Sequence, residues 1–70
     1  MFDHLPPFLT VEEAARVLRI GRSKAYELTV EWERSGGKSG LPFIRLGHQK
    51  RVPREAIAWF VRNCLAPTAG

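Results

Sequence analysis

Apolar residues at Val11, Ala14, Ala15 and Leu18 fall at i, i+3, i+4 and i+7, one stripe along a helix. The segment opens on Thr10-Val11-Glu12-Glu13. That order predicts a capping box, in which the Thr10 hydroxyl accepts from the Glu13 amide and the Glu13 carboxylate accepts from the Thr10 amide. Arg19-Ile20-Gly21 then breaks the period, and Gly21 can start a second helix. In that helix Ala25, Leu28, Thr29 and Trp32 share one face. Ser23, Tyr26, Glu27 and Val30 point the other way, flanked by Arg22 and Lys24. Two short helices joined by a tight turn, each with one buried face, predict a helix-turn-helix whose second helix keeps a polar outer face free.

The flanking segments carry weaker patterns. Residues 1–8 hold two prolines, each disfavouring helix at the residue before it, and predict an extended N-terminal arm. Phe2, Leu5 and Phe8 in this arm either cover one edge of the core or serve as a docking peptide. Residues 33–40 contain Gly36, Gly37, Gly40, Ser35 and Ser39 and predict a flexible loop. Gly37-Lys38-Ser39 resembles the end of a phosphate-binding loop, but Trp32 occupies the place of that motif's first glycine and no strand precedes it. Phe43 to Leu46 alternates as a strand, with Ile44 and Leu46 expected inward and Phe43 and Arg45 outward. Gly47-His48-Gln49 is a turn of hairpin length, and Lys50-Arg51-Val52 forms the short returning strand. Two such strands are marginal alone, so the hairpin must lean on the helices. Pro53 suits the first position of a third helix, whose apolar face is Ile57, Phe60, Val61 and Cys64. Cys64 is expected in the core. Trp59, one residue off the stripe, is either a lid over the core edge or an exposed contact.

Seventy residues bound what this chain can do. A chain of this size buries only ~60% of its unfolded surface, which leaves one packed cluster and no deep substrate cleft. Catalysis is not expected: the acidic pairs Glu12–Glu13 and Glu31–Glu33 fall on solvent faces, where nothing shifts a carboxyl pKa. His4, His48 and the single cysteine lack metal-ligand spacing, so no metal, cofactor or small-molecule substrate is expected. One cysteine cannot make an internal disulfide, which suits a reducing cytoplasm. No apolar run approaches the ~20 residues of a membrane span, and residues 1–9 lack the basic start of a leader. The net charge of +4 favours an acidic partner.

The positive charge is clustered. Arg16, Arg19, Arg22 and Lys24 surround the turn and the start of the second helix, while Arg45, Lys50, Arg51 and Arg54 gather on the hairpin with His48 at its tip. Both clusters lie where a helix-turn-helix and a wing would meet DNA phosphates, which supply most non-specific affinity. Base reading would fall to the outer face of the second helix in the major groove. Glu27 there is either a base-reading carboxylate, able to accept from cytosine N4, or a plain solvent-facing residue.

The run Leu9-Thr10-Val11-Glu12-Glu13-Ala14-Ala15, then Arg22-Ser23-Lys24-Ala25-Tyr26, Leu41-Pro42, Arg45-Leu46-Gly47 and Arg51-Val52-Pro53-Arg54-Glu55-Ala56 resembles the excisionase family of MerR-like winged helix-turn-helix domains. The resemblance covers about residues 9–63. It implies a recognition helix carrying Arg22, Ser23, Lys24, Tyr26 and Glu27, and a wing from Gly47 through His48, Gln49 and Lys50 to Arg51 that enters the adjacent minor groove. The chain departs from that pattern at Arg19, where a small residue or glycine is common, at Lys50, where an aromatic is common, and in its longer 33–40 loop.

The expected fold is therefore α+β: a small winged helix-turn-helix with a two-stranded hairpin wing and a C-terminal helix. Residues 1–8 form the arm, 9–65 the DNA-binding domain and 66–70 a flexible tail. Arg45 joins the wing contacts, and Arg16, Arg19 and Arg54 add phosphate contacts. By resemblance the function is that of a recombination directionality factor of a phage or mobile element. It would act on double-stranded DNA in the bacterial cytoplasm, bind adjacent sites beside neighbouring protomers, bend the DNA and direct an integrase toward excision. A small MerR-like transcriptional regulator uses the same surface, and a protein-binding adaptor acting through Trp59, Phe43 and the arm is the alternative of another class.

Overall fold

A computed structural model of the chain describes residues 2–65. In order it forms β1 (Phe8–Leu9), α1 (Val11–Leu18), α2 (Arg22–Arg34), β2 (Ile44–Leu46), β3 (Gln49–Pro53) and α3 (Arg54–Cys64). Three helices with a small antiparallel sheet make an α+β winged helix-turn-helix. The tail expected at 66–70 lies outside the described residues.

Both bonds of the capping box are present: the Glu13 amide donates to Thr10 Oγ1 at 3.0 Å, and the Thr10 amide donates to Glu13 Oε1 at 2.9 Å. Helix α1 stops at Arg19, which takes the left-handed conformation with φ 59° and donates its amide to the Ala15 and Arg16 carbonyls. Glycine favours this backbone because a Cβ crowds it. Gly21 is the N-cap of α2 and supplies no side chain to the first-turn amides.

The sheet has one strand more than the expected hairpin. Its order is β1-β3-β2, with Leu9 opposite Val52 and Phe8 opposite Pro53. The end of the arm is thus a strand, and alternation buries Leu9 while leaving Phe8 exposed. Leu46 pairs with Gln49, so the hairpin loop is only Gly47-His48 and β3 starts one residue earlier than expected. Pro53 is the extended N-cap of α3, φ −61° and ψ 144°, and not its first helical residue.

The core is Leu9, Val11, Leu41, Val52 and Ile57 with four alanines, Ala14, Ala15, Ala25 and Ala56. Fully burying a branched apolar side chain stabilises by about 1.5–3 kcal/mol, and Ala14, Ala15 and Ala25 let α1 and α2 approach closely, while α3 packs on β3. Phe2 and Leu5 pack on its edge. The arm is fastened there by Arg54, whose amide donates to the Pro7 carbonyl at 3.0 Å and whose guanidinium donates to the Leu5 and Asp3 carbonyls at 2.8 and 3.2 Å.

Two expected core placements are corrected. Ile44 and Leu46 are exposed, at 37% and 56%, because β2 is an edge strand and its inward side meets a polar stripe of α2. Cys64 is exposed because the last turn of α3 outruns the core, and Arg62 and Asn63 beside it are exposed too.

The glycine-rich stretch has a defined path in place of the flexible loop expected. Helix α2 takes Glu33 and Arg34 from it. Ser35 Oγ then accepts from the Lys38 and Ser39 amides at 3.1 and 3.0 Å, and the Leu41 amide donates to the Leu28 carbonyl at 3.0 Å. This return path presses Gly40 against the α2 backbone. A Cβ there would stand 2.5 Å from the Leu28 carbonyl oxygen and 2.6 Å from the Trp32 amide nitrogen, at φ +99°. Gly36, at φ +70°, has open space around it. Gly40→Ala is therefore expected to cost about 2–4 kcal/mol from combined clash and backbone strain. Gly36→Ala should cost only ~1 kcal/mol from the backbone alone. Urea denaturation of both variants tests this, and equal losses would show that the close approach at Gly40 is not real.

Candidate nucleic-acid interface

The exposed face of α2 carries Ser23, Glu27, Val30 and Arg34, spaced i, i+4, i+7 and i+11. With Arg22 and Tyr26 on its near side, it lines an open groove along the helix. The opposite face buries Ala25 and Thr29. Lys24 lies 3.9 Å from Glu27, an exposed pair one turn apart. Such pairs contribute little and are easily exchanged for another anion.

The start of α2 is open. No side chain caps its amides, and its first turn holds no acidic residue. Those amides and the helix dipole favour an anion. Arg16, Arg19 and Arg22 stand around this end, exposed, and form no ion pair among the described residues. The sequence puts these cations at the turn, and Arg16 and Arg22 line one shallow depression there together with Glu12 and Ile20. By contrast, Glu55 occupies the first turn of α3, and the Arg54 amide there is already bonded to Pro7.

Tyr26 is tethered. Its hydroxyl donates to Glu12 Oε2 at 3.0 Å, joining the second helix to the first. Glu12 was expected on a plain solvent face, and no local pattern marks it as a tether. The Glu12 carboxyl is held below its ordinary value of 4.5, mainly by a backbone hydrogen bond and then by the Tyr26 hydroxyl, with Arg22 and Arg51 adding attraction. The same bond raises the Tyr26 phenol above 10.0. Tyr26 as a whole remains 39% exposed, so it can pack against a partner while its hydroxyl is held.

The hairpin distributes its side chains differently from the sequence expectation. The Lys50 ammonium donates to the buried Thr29 hydroxyl at 2.9 Å and lies 4.8 Å from the Phe43 ring centroid. Arg45 pairs with Glu33 at 2.6 Å and lies 5.6 Å from the same ring. Arg51 donates to Gln49 Oε1 at 2.8 Å and to the Lys50 carbonyl at 2.9 Å. Lys50 and Arg51 are each partly buried. Gly47, His48 and Gln49 at the tip are exposed. Arg54 points to the arm and not to the hairpin surface.

Trp59 packs edge-on against Trp32, with ring centroids 5.4 Å apart, and stays 36% exposed, so it covers Trp32 and keeps an open face as well. Among the described residues no group of three His, Cys, Asp or Glu side chains is placed to hold a metal, and no helix is long and apolar enough to cross a membrane.

The tether makes a prediction with a definite sign. The lowered Glu12 pKa adds stability that is present above pH 4.5 and lost as pH falls through the folded value. The raised Tyr26 pKa adds stability that is present below pH 10.0 and lost as pH rises through its folded value. Tyr26→Phe should let the Glu12 pKa rise part of the way toward 4.5, the backbone contribution persisting, as followed by carboxyl-carbon NMR titration. An unmoved Glu12 titration would remove the hydroxyl from the account.

Residues 8–64 match the family described as helix-turn-helix domain. The chain is also 38% identical over 58 residues to a probable excisionase of Saccharopolyspora erythraea, an alignment that covers 83% of this chain and 52% of that protein. The chain thus spans about half the length of this relative. No solved structure matches. With the capped first helix, the left-handed turn at Arg19 and the second helix in place, the matched span covers every element of the fold, and the chain belongs to the helix-turn-helix domain family.

Proposed function

We propose that this chain binds double-stranded DNA, laying α2 in the major groove with the β2–β3 hairpin as a wing beside it. The observation that carries this reading is the open start of α2, ringed by the exposed cations Arg16, Arg19 and Arg22. Phosphate contacts there seat the helix, and Ser23, Lys24 and Glu27, with the Tyr26 ring, face the base edges. The wing contributes Gly47, His48, Gln49 and Arg51. Arg45, Lys50 and Arg54, also candidates in the sequence, are engaged with Glu33, Thr29 and the arm in the free protein.

The role we propose is that of an excisionase-type factor. It is supported by the order of motifs from Leu9 to Ala56 and by the relative whose name is probable excisionase. In this role several protomers occupy adjacent sites in the bacterial cytoplasm, bend the DNA and direct an integrase toward excision. One small module buries only ~600–1,000 Å² on DNA, so neighbours on adjacent sites add affinity through effective concentration. The adaptor alternative is less supported, because Phe43 and the arm residues Phe2 and Leu5 lie against the core, and of its proposed apolar contacts only Trp59 and Phe8 are exposed.

Footprinting on DNA beside the gene and at the nearest attachment site tests the role. Protection of a tandem array at the attachment site is expected, and protection confined to a promoter would favour the regulator. At residue level, Arg22→Ala should weaken all sequences alike and reduce the salt slope by ~0.9 for one lost phosphate. Glu27→Ala should lower the cognate-to-scrambled ratio by ~1–3 kcal/mol for a lost base contact. A full ratio in Glu27→Ala would show that this side chain does not read bases.

A further inference from the structure

A polar seam joins the hairpin to α2, and its centre, the Lys50–Thr29 hydrogen bond, is part-buried. Tyr26, Thr29 and Glu33 fall at i, i+3 and i+7, one stripe of α2. Arg45 and Lys50 are a cross-strand pair on one face of the hairpin. Lys50 bonds Thr29, Arg45 bonds Glu33, and both cations sit over the Phe43 ring. The Thr29 hydroxyl works in both directions: it donates to the Tyr26 carbonyl at 2.7 Å and accepts from Lys50 at 2.9 Å. Thr29 is 0% exposed, so it cannot touch DNA.

The hairpin needs such a seam. Strand β2 has three residues and its apolar side chains, Ile44 and Leu46, face solvent, so β2 contributes no buried side chain to hold its angle. A wing that must reach one groove while α2 fills another has to stand at a fixed angle before binding, since ordering it on DNA would cost affinity.

We propose that Lys50 is a positioning residue: through Thr29, and with Arg45 through Glu33, it sets the angle of the wing on α2. The groove is then met by the tip, Leu46-Gly47-His48-Gln49, with Arg51 as the hairpin cation left for phosphate. This rests on the DNA-binding reading above.

The buried partner makes the idea testable, because Thr29→Val deletes the acceptor without touching any surface a phosphate could reach. Wild type, Thr29→Val, Thr29→Ser, Lys50→Met and the Thr29→Val/Lys50→Met double variant are titrated against a mixed-sequence duplex over a range of salt. Thermal melting of each variant checks that it is folded. Thr29→Val and Lys50→Met should each weaken binding several-fold, with an unchanged salt slope. The double variant should be no weaker than either single one, since both cut the same link. Thr29→Ser keeps the hydroxyl and should bind as wild type does. Proton NMR of the free protein should show the Lys50 ε-methylene against the Phe43 ring.

A Lys50→Met slope lower by ~0.9 with Thr29→Val silent would overturn the proposal and make Lys50 a direct phosphate contact. Additive losses, or absence of the Lys50–Phe43 contact in solution, would also overturn it. A wild type that binds no duplex would instead defeat the DNA reading, and the wing role with it.

Discussion

The fold depends on the burial of the middle strand. Val52 is fully enclosed, opposite Leu9 in the sheet and in the same buried cluster as Val11, Leu41 and Ile57. Among the described residues, β3 is also the only strand hydrogen-bonded on both sides, to β1 and to β2. Everything else attaches to it directly or through one neighbour. Because four of the nine core residues are alanine, α1 and α2 sit close but the helices gain little area each.

A core this small leaves parts of the surface to be fastened by polar side chains. Arg54 holds the arm, Glu12 and Tyr26 join the two helices, and Lys50 with Arg45 joins the hairpin to α2. Each bond is worth little alone, on the order of 0.5–1.5 kcal/mol for a typical one. Their value lies in direction: a hydrogen bond fixes an angle, which a few alanine contacts do not. Arg45, Lys50 and Arg54 are thus engaged in bonds that set angles, while Arg16, Arg19 and Arg22 beside the start of α2 are exposed.

The turn at Arg19 joins these two themes. The backbone there adopts a conformation that glycine takes more easily, yet an arginine occupies it. The strain is small, on the order of 1–2 kcal/mol. It is accompanied by a cation held at the anion-seeking end of α2, where the proposed DNA reading uses it.

Periodicity and local chemistry were enough for much of this protein. The Thr10–Glu13 capping box, the stripe Val11-Ala14-Ala15-Leu18, the break at Arg19 and the inner face Ala25-Leu28-Thr29-Trp32 all depend on neighbours within one or two helical turns, and all were legible. So was the gathering of cations at the turn, since the turn is local. The pairing of Phe8-Leu9 with β3 was not, because two residues give no period and their partner lies more than forty positions away. The sequence alone also set the strand alternation of Ile44, Arg45 and Leu46, but not its sense. Which side of an edge strand faces inward depends on what stands behind it, and here Thr29 and Glu33 of α2 offer acceptors that suit Lys50 and Arg45 better than leucine or isoleucine. The sequence determined which side chains are charged, and where along each element they stand. Only the tertiary structure decided which of those charges are spent inside the protein, because that choice is made by acceptors brought in from distant parts of the chain.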